Sequence, residues 1–352
     1  MLNEYLSLIT PADEKAAAAC RARWDALAKP LHSLGLLEDA ISKIAAVRGS
    51  ADVALRKRAA VVFCADNGVV ARGVSQSGPE VTATVAREMA AGRGNINALG
   101  RFARADVFPF DVGMAADDPG VPSHKSARGS ADFTTGPAMS REEAEDALCF
   151  GAELAGKLKA RGYDVLVGGE MGIGNTTTST ALACVLLGRE PEELTGRGAG
   201  LSDAALCRKT EAIRQAIAVN QPDPQDPLGL LAALGGFDIA ALTGLFVGGA
   251  AYRVPVIVDG VIAAVAAVIA CMLAPDCRDF LLASHLSREP AHALLLDRLG
   301  LVPVIRGDLA LGEGSGGVML LPLLDAALAV YDQGSTFSSF GMAAYTPQEE
   351  RT

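Results

Sequence analysis

Short runs of β-branched and other apolar residues recur along this chain. Most of them end in glycine, aspartate or serine, ahead of a stretch compatible with a helix. The runs lie at residues 60–64, 105–110, 165–167, 256–258, 280–283 and 302–305. Five or six such units in a row predict an α/β fold with a largely parallel sheet and helices on both faces. In such sheets the ligand binds beyond the carboxyl ends of the strands, where these polar and glycine residues cluster.

The two ends of the chain have a different pattern. Residues 14–28 are rich in alanine and charge, residues 36–47 show apolar spacing near 3.6, and residues 319–331 form another helical run. We therefore expect helices at both ends of the chain. The predicted division is a helical segment at residues 1–50, a large α/β domain at residues 51–317, and a C-terminal helix and tail at residues 318–352.

Charge and composition exclude several classes of function. The net charge of −10 and the absence of any basic run argue against a nucleic-acid partner, because such surfaces need clustered Lys and Arg. The seven cysteines form no C-x-x-C pair, and the N-terminus carries no signal-peptide pattern, so we expect a cytoplasmic protein. The four histidines lack metal-binding spacing, so no metal site is expected.

Residues 254–274 are almost wholly apolar and are long enough to suggest a membrane span. Asp259 and Gly260 divide this segment into a β-rich run and an alanine-rich helical run. A buried strand, turn and helix explains that division better than a span does. We therefore expect no membrane partner.

A glycine-rich loop at residues 168–179 follows the third β-rich run and precedes a helical run at residues 181–187. Glycines let the backbone approach a ligand closely, and the N–H groups of the following helix form a phosphate site. The loop matches neither common nucleotide fingerprint. Asn175 occupies the position of the P-loop lysine, and Thr177 occupies the position of the third glycine in a dinucleotide turn. It predicts phosphate binding with no ATP or NAD cofactor, which counts against a dehydrogenase. A capped helix start without a ligand is the alternative.

Two carboxylates are embedded in glycine-rich segments. Glu170 lies within the loop, and Glu313 has glycine on both sides within residues 311–317. A carboxylate on such a turn can point into a cleft, where burial raises its pKa toward that of a general base. Lys209 can supply a point charge for a phosphate. Taken singly, an exposed loop glutamate and a surface lysine are the alternatives. Together, the features suggest chemistry on a phosphorylated small molecule.

These motifs resemble, in order, those of the nicotinate-nucleotide:dimethylbenzimidazole phosphoribosyltransferases, which build the lower ligand of cobalamin-type cofactors. The matching stretches are residues 65–69, 73–75, 80–82, 95–97, 133–139, 169–177, 196–198, 235–239, 259–260, 284–290 and 311–316. The resemblance implies a Rossmann-like large domain, a small helical domain built from both chain ends, and a homodimer.

The resemblance also implies a reaction. The family transfers phosphoribose from nicotinate mononucleotide to 5,6-dimethylbenzimidazole or a related base, giving α-ribazole 5'-phosphate and nicotinate. Glu313 matches the catalytic base of the family, and Glu170 matches a second acidic position near the ribose or the reacting ring. By the same resemblance, the nucleotide site contains Gly172, Gly174, Asn175, Thr176, Gly198, Lys209, Gly260 and Ser287.

Two departures from the family pattern concern the acceptor base. Thr84 and Val85 stand where relatives often have Gln and Met. Asn67 stands where relatives frequently have the His of an Asp-His-Gly sequence. We expect Thr84 and Val85 to line a base pocket of altered shape, so a purine or phenol remains an alternative acceptor. A partner-dependent or non-catalytic nucleotide-binding paralogue in a heterodimer is the other alternative. Retention of both Glu170 and Glu313 counts against it.

Overall fold

The computed structural model describes residues 1–346 of the 352-residue chain. Its strands are β1 Arg58–Ala65, β2 Ala105–Gly113, β3 Val165–Met171, β4 Val256–Val258, β5 Leu281–Ala283, β6 His285–Ser287 and β7 Ile305–Leu309. Its α-helices are α1 Leu2–Leu8, α2 Glu14–Ala26, α3 Leu36–Arg48, α4 Glu80–Ala90, α5 Asn95–Ala103, α6 Arg141–Ala160, α7 Asn175–Leu187, α8 Pro191–Leu194, α9 Asp203–Asn220, α10 Pro227–Leu234, α11 Phe237–Ala251, α12 Val261–Leu273, α13 Ala291–Leu299 and α14 Ser315–Gln333.

Five strands form one parallel sheet in the order β2-β1-β3-β4-β5. The register places Phe63 of β1 opposite both Phe110 of β2 and Glu170 of β3. Since β1 pairs with β2 on one side and β3 on the other, the chain reverses direction across the sheet at β1. This confirms the predicted parallel sheet and places its topological switch point between β1 and β3.

The sheet is buried on both faces. Successive side chains of a strand point to opposite sides, and those of β1 enter two different apolar clusters. Val61 and Phe63 of β1 belong to one apolar cluster, while Val62 and Cys64 belong to the other, and all four are fully buried. Helices α6, α7 and α9–α13 cover the first face, and α2–α5 and α14 cover the second. The predicted arrangement of helices on both faces is therefore confirmed.

The sixth predicted run, residues 302–305, is not a strand of the main sheet. The strand in this region is β7, which begins at Ile305 and pairs in parallel with β6 to form a separate two-stranded sheet. Pro303 has no backbone N–H to donate, and Val302 is 60% exposed, so this run lacks the pairing and burial of a central strand. The chain passes from β5 through Ser284 directly into β6, so the small sheet lies at the carboxyl edge of the main sheet.

The apolar stretch at residues 254–274 forms β4, a turn and α12, as predicted, and most of its residues are buried. Within the described residues, α14 is the helix whose length and composition would allow it to cross a membrane, and it is 50% buried. Its inward face packs against α3, α5 and β3. Arg58 of β1 donates to Asp325 of α14 at 2.9 Å, which ties this helix to the sheet.

The two ends of the chain meet. Helix α2 packs on α3, and α3 packs on α14. Trp24 and Tyr331 have ring centroids 4.7 Å apart, Arg23 pairs with Asp332 at 2.9 Å, and a backbone bridge joins Leu27 to Thr336. Helix α14 begins at Ser315 and runs through the predicted boundary at residue 318, so the division into domains stays a prediction.

Candidate active site

A cleft of about 290 Å³ opens beyond the carboxyl ends of β3, β4 and β5. The loop after β3, the turn after β4, strand β6 and the turn before α14 form its walls. Nine of the sequence-predicted residues line it together: Glu170, Gly172, Gly174, Asn175, Thr176, Gly198, Gly260, Ser287 and Glu313. The fold therefore gathers into one cavity residues that are up to 143 positions apart, from Glu170 to Glu313.

The loop between β3 and α7 needs glycine at two points. A Cβ on Gly172 would lie 2.4 Å from the Ala65 carbonyl oxygen at the end of β1. Gly174 has φ +95° and is the N-cap of α7, so no side chain caps this helix. Of the four hydroxyl residues that follow Asn175, Thr176 lines the cleft, while the Thr177 and Ser179 hydroxyls are buried without a hydrogen-bond partner. The N-terminus of α7 is thus open toward the cleft.

Lys209 of α9 lies directly behind this N-terminus. Its side chain is fully buried, and its ammonium donates to Thr176 Oγ1 and to the Gly196 carbonyl oxygen, both at 3.0 Å. Burial lowers the pKa of Lys209 to about 8, although the nearby Glu289 opposes the fall. Gly198 N donates to Glu289 Oε1 at 3.0 Å. Lys209 therefore acts on the cleft through Thr176 and the turn at residues 196–198.

The turn that carries Glu313 is strained. Gly312, Glu313 and Gly314 have φ of +78°, +63° and +81°, three left-handed residues in succession. The central one is not glycine, and such a conformation costs on the order of 1–3 kcal/mol. A Cβ on Gly169 of β3 would lie 2.7 Å from the Glu313 carbonyl carbon, so only glycine lets the turn pack on the strand. Strain at a residue lining a cleft points to a functional role.

The carboxylate of Glu313 is only 7% exposed, and its Oε2 atom has no hydrogen-bond partner. Burial raises its pKa, while hydrogen bonding to the Ile96 backbone at the start of α5 opposes the rise. A buried carboxylate with a free oxygen and a raised pKa is suited to accept a proton from a bound molecule.

Asp259, between β4 and α12, anchors the start of α14, directly after the turn that carries Glu313. Its Oδ1 accepts the N–H of Gly317 in the first turn of α14 at 3.0 Å. Burial raises the pKa of Asp259 to about 6, and backbone N–H groups of the same helix start oppose the rise. His285 Nδ1 lies 3.8 Å from Asp259 Oδ1, and burial lowers the pKa of His285 to about 4, so this ring is neutral at pH 7.

Sequence reasoning did not select Asp259 and His285 as site residues. A usable signal was present, because both lie just past the carboxyl ends of neighbouring strands, β4 and β5. Such positions border the ligand crevice in parallel sheets. Among residues 1–346, no group of three or more His, Cys, Asp and Glu is arranged to hold a metal ion.

Asn175 bridges two buried carboxylates. Its Nδ2 donates to Glu170 Oε2 and, at 2.8 Å, to Asp238 Oδ2. Burial raises the pKa of Glu170 well above its usual range and raises that of Asp238 to about 6. Asp238 lies in the first turn of α11, is completely buried, and was not among the predicted site residues.

Thr84 and Val85 of α4 do not line the cleft. Thr84 is exposed and its hydroxyl donates to the Glu80 carbonyl oxygen at 2.9 Å, while Val85 is half-buried against the core. Helix α4 contacts the glycine loop through Thr82, whose Oγ1 accepts from Ile173 N at 3.2 Å. The role of Thr84 and Val85 in a base pocket stays a prediction.

Comparison with known proteins assigns this architecture to a family. A phosphoribosyltransferase family model matches residues 9–342. The nicotinate-nucleotide–dimethylbenzimidazole phosphoribosyltransferase of Ruminiclostridium cellulolyticum is 44% identical over 329 residues, covering 93% of this chain and 94% of the relative. The protein of the same name from Desulforudis audaxviator is 43% identical over 346 residues, covering 97% and 98%. The crystal structure of this transferase from Thermus thermophilus superimposes with a TM-score of 0.87 at 39% identity, covering 94% and 99%.

Proposed function

This chain belongs to that phosphoribosyltransferase family, and we propose that it transfers phosphoribose from nicotinate mononucleotide to 5,6-dimethylbenzimidazole or a related base. The products are α-ribazole 5'-phosphate and nicotinate, for assembly of a cobamide nucleotide loop. One observation carries the proposal: a single cleft holds an open helix N-terminus beside Thr176 and the buried, strained carboxylate of Glu313. These two features match the two ends of the reaction, phosphate binding and proton removal.

The chemistry needs a base more than it needs an acid. The pyridinium of nicotinate mononucleotide is a cationic leaving group, so the electron pair of the breaking C1′–N bond neutralises it without protonation. The incoming azole forms a new N–C1′ bond with one nitrogen and must lose the proton on its other nitrogen. Glu313 accepts that proton, and its raised pKa brings it closer to the value an effective general base needs near neutral pH. Glu170 supports the ribose from the floor of the cleft.

The phosphate is expected at the N-terminus of α7, because no side chain caps this helix and the helix dipole favours an anion there. Thr176 and Gly198 border this position, and Lys209 adds a positive charge behind it. The Ser287 hydroxyl is buried without a protein partner and lines the same cleft, so it is available to the ligand. The glycine loop, Gly172 to Asn175, and Gly260 leave room for the ribose.

A homodimer in the cytoplasm is the assembly we propose. The outward face of α14 presents an apolar stripe, with Met319 40%, Leu323 38% and Val330 38% exposed, and Phe102 on the adjacent α5 is 78% exposed. Exposed apolar side chains on neighbouring helices favour a protein interface. All seven cysteines are free, which fits a reducing compartment. A Leu323→Glu change should lower the molar mass measured by light scattering from dimer to monomer.

The transfer is tested by incubating the protein with nicotinate mononucleotide and a panel of benzimidazoles, purines and phenols. Mass spectrometry of the products should show the ribotide of a benzimidazole and an equal amount of nicotinate. Binding of the nucleotide without transfer to any acceptor would favour a non-catalytic paralogue. Transfer confined to purines or phenols would keep the reaction class and change the acceptor.

A further inference from the structure

The Asn175 amide joins a carboxylate that faces the cleft to one that does not. Glu170 lines the cavity, whereas Asp238 is 0% exposed and lies behind the glycine loop. Both bond the same nitrogen, so their bonded oxygens lie within roughly 6 Å of each other. The second oxygen of Asp238, Oδ1, is buried with no hydrogen-bond partner. Backbone N–H groups in the first turn of α11 also favour the ionised form of Asp238, whereas Glu170 accepts from the Asn175 amide, so a proton shared by the two carboxylates is placed more favourably on Glu170.

The surroundings of this pair are acidic. In the described part of the chain, neither Glu170 nor Asp238 forms an ion pair with a Lys, Arg or His. The titratable groups that face them are Asp66 and Cys64 at the end of β1, Asp259 after β4 and Glu313 before α14. Two like charges at this separation, without a cation, disfavour each other's ionised form.

The negative charge of the cleft also favours protonation of one of its carboxylates. Its lining includes four acidic side chains, Glu170, Asp259, Glu289 and Glu313, against one charged basic side chain, Arg197, since the His285 ring is neutral. Nicotinate mononucleotide carries a negative phosphate and a negative ring carboxylate against one positive pyridinium. A cleft with every carboxylate ionised would repel this ligand, so taking up a proton favours binding.

We propose that Asp238 is a positioning residue that keeps Glu170 protonated: the two carboxylates, held by the Asn175 amide, carry one proton between them, and that proton lies on Glu170. Glu170 then faces the nucleotide as a neutral hydrogen-bond donor, and Glu313 stays the free base. Only the identity of the ligand rests on the proposed function. The shared proton is a property of the ligand-free protein.

The first test therefore uses no substrate. Infrared spectra of the ligand-free protein, titrated with base, should show a protonated carboxyl band at neutral pH. Asp238→Asn should lower the apparent pKa of this band by about one unit or more, because it removes a like charge. Asn175→Ala should raise it, because it removes a donor to the ionised forms. Asp111→Asn is the matched control, since Asp111 is also buried but pairs with Lys125, and it should not move the band.

A wild-type protein without a protonated carboxyl at neutral pH would overturn the proposal, and so would an unshifted band in Asp238→Asn. If the band disappeared when potassium or magnesium ions were added, a cation rather than a proton would neutralise the pair. That result would also overturn the proposal. The wild-type titration and the Asn175→Ala variant keep the test decisive if Asp238→Asn does not fold.

The second test measures nicotinate riboside binding, because a ligand without phosphate avoids the titration of Lys209. Above neutral pH, Asp238→Asn should bind the riboside about tenfold more weakly than wild type, the equivalent of one pKa unit. In a Glu170→Gln background, which is permanently neutral, the same substitution should change binding little. Equal losses in both backgrounds would make Asp238 merely structural. If the infrared shift is present but no ligand binds, the proposed function fails and the shared proton stands.

Discussion

The two glycine-rich turns of the cleft solve different physical problems. At the start of α7, the left-handed position is Gly174, so the loop reaches its conformation without side-chain strain. At the start of α14, the left-handed positions are Gly312, Glu313 and Gly314, and the middle one carries a side chain. The first turn is unstrained, and we propose it as the seat of the phosphate. The second turn holds a carboxylate in an unfavourable backbone conformation.

This difference separates binding from chemistry. A phosphate site interacts with substrate and transition state alike, so it needs only exposed N–H groups and positive charge. A base must sit in one position relative to the reacting nitrogen, and small displacements are costly. The Asp259 contact to the start of α14 and the packing on Gly169 hold the Glu313 turn in place. Mutations in the two turns should therefore affect different kinetic parameters.

The largest effect is expected from Glu313→Gln, which keeps the shape of the side chain and removes the base. We expect kcat with a benzimidazole acceptor to fall by roughly 10²–10⁴-fold, while nicotinate mononucleotide binds with nearly unchanged affinity. Steady-state kinetics and calorimetric titration measure the two quantities. Near-normal turnover would remove Glu313 from the mechanism. Glu313→Gly should also lose activity, yet its Tm should be unchanged or higher, because the backbone strain is relieved.

Gly169→Ala tests the packing beneath the same turn. The added Cβ would lie 2.7 Å from backbone atoms of Glu313 and Gly314, so the turn must move. A displacement of about 1 Å can cost about 100-fold in rate, and we expect this loss in kcat with a much smaller change in nucleotide affinity. Gly136→Ala is the control, since a Cβ there meets nothing within 4 Å. Equal effects on kcat and affinity would mean that the two turns are not independent.

The sheet and the α7 loop were predictable because local pattern determines them. Short runs of β-branched and other apolar residues identified β1 and β3, and the glycines between Gly168 and Gly174 marked the strand-to-helix turn. Strand β7 was misplaced because apolar composition at Val302 does not show whether a backbone has a pairing partner. Asp259 and His285 carried a usable signal at the ends of β4 and β5, whereas Asp238 was missed because its importance arises from burial beside residues distant in sequence. Pairing and burial of this kind depend on tertiary structure.

Lys209→Ala tests the anion seat. Hydrogen bonds from a charged group contribute about 1.5–3 kcal/mol, so nucleotide affinity should fall by roughly 10–100-fold. Nicotinate riboside, which has no phosphate, should lose much less. The wild-type affinity for the nucleotide should also fall as pH rises through about 8, because the charged form of Lys209 is then lost. Equal losses for both ligands would show that Lys209 only supports the fold around Thr176 and Gly196.

The smallest effect is expected at Thr84 and Val85, which lie on α4 and do not line the cleft. The family resemblance assigns them to the base pocket, so Thr84→Gln with Val85→Met should sharpen the preference for 5,6-dimethylbenzimidazole over benzimidazole. Because Thr84 is exposed and α4 hydrogen-bonds the glycine loop through Thr82, we expect a change in the ratio of kcat/KM of no more than about tenfold, the low end for one pocket contact. Direct competition between the two bases measures that ratio. An unmoved ratio would show that acceptor choice is made elsewhere, and the exposed Leu311 beside Glu313 is then the next position to vary.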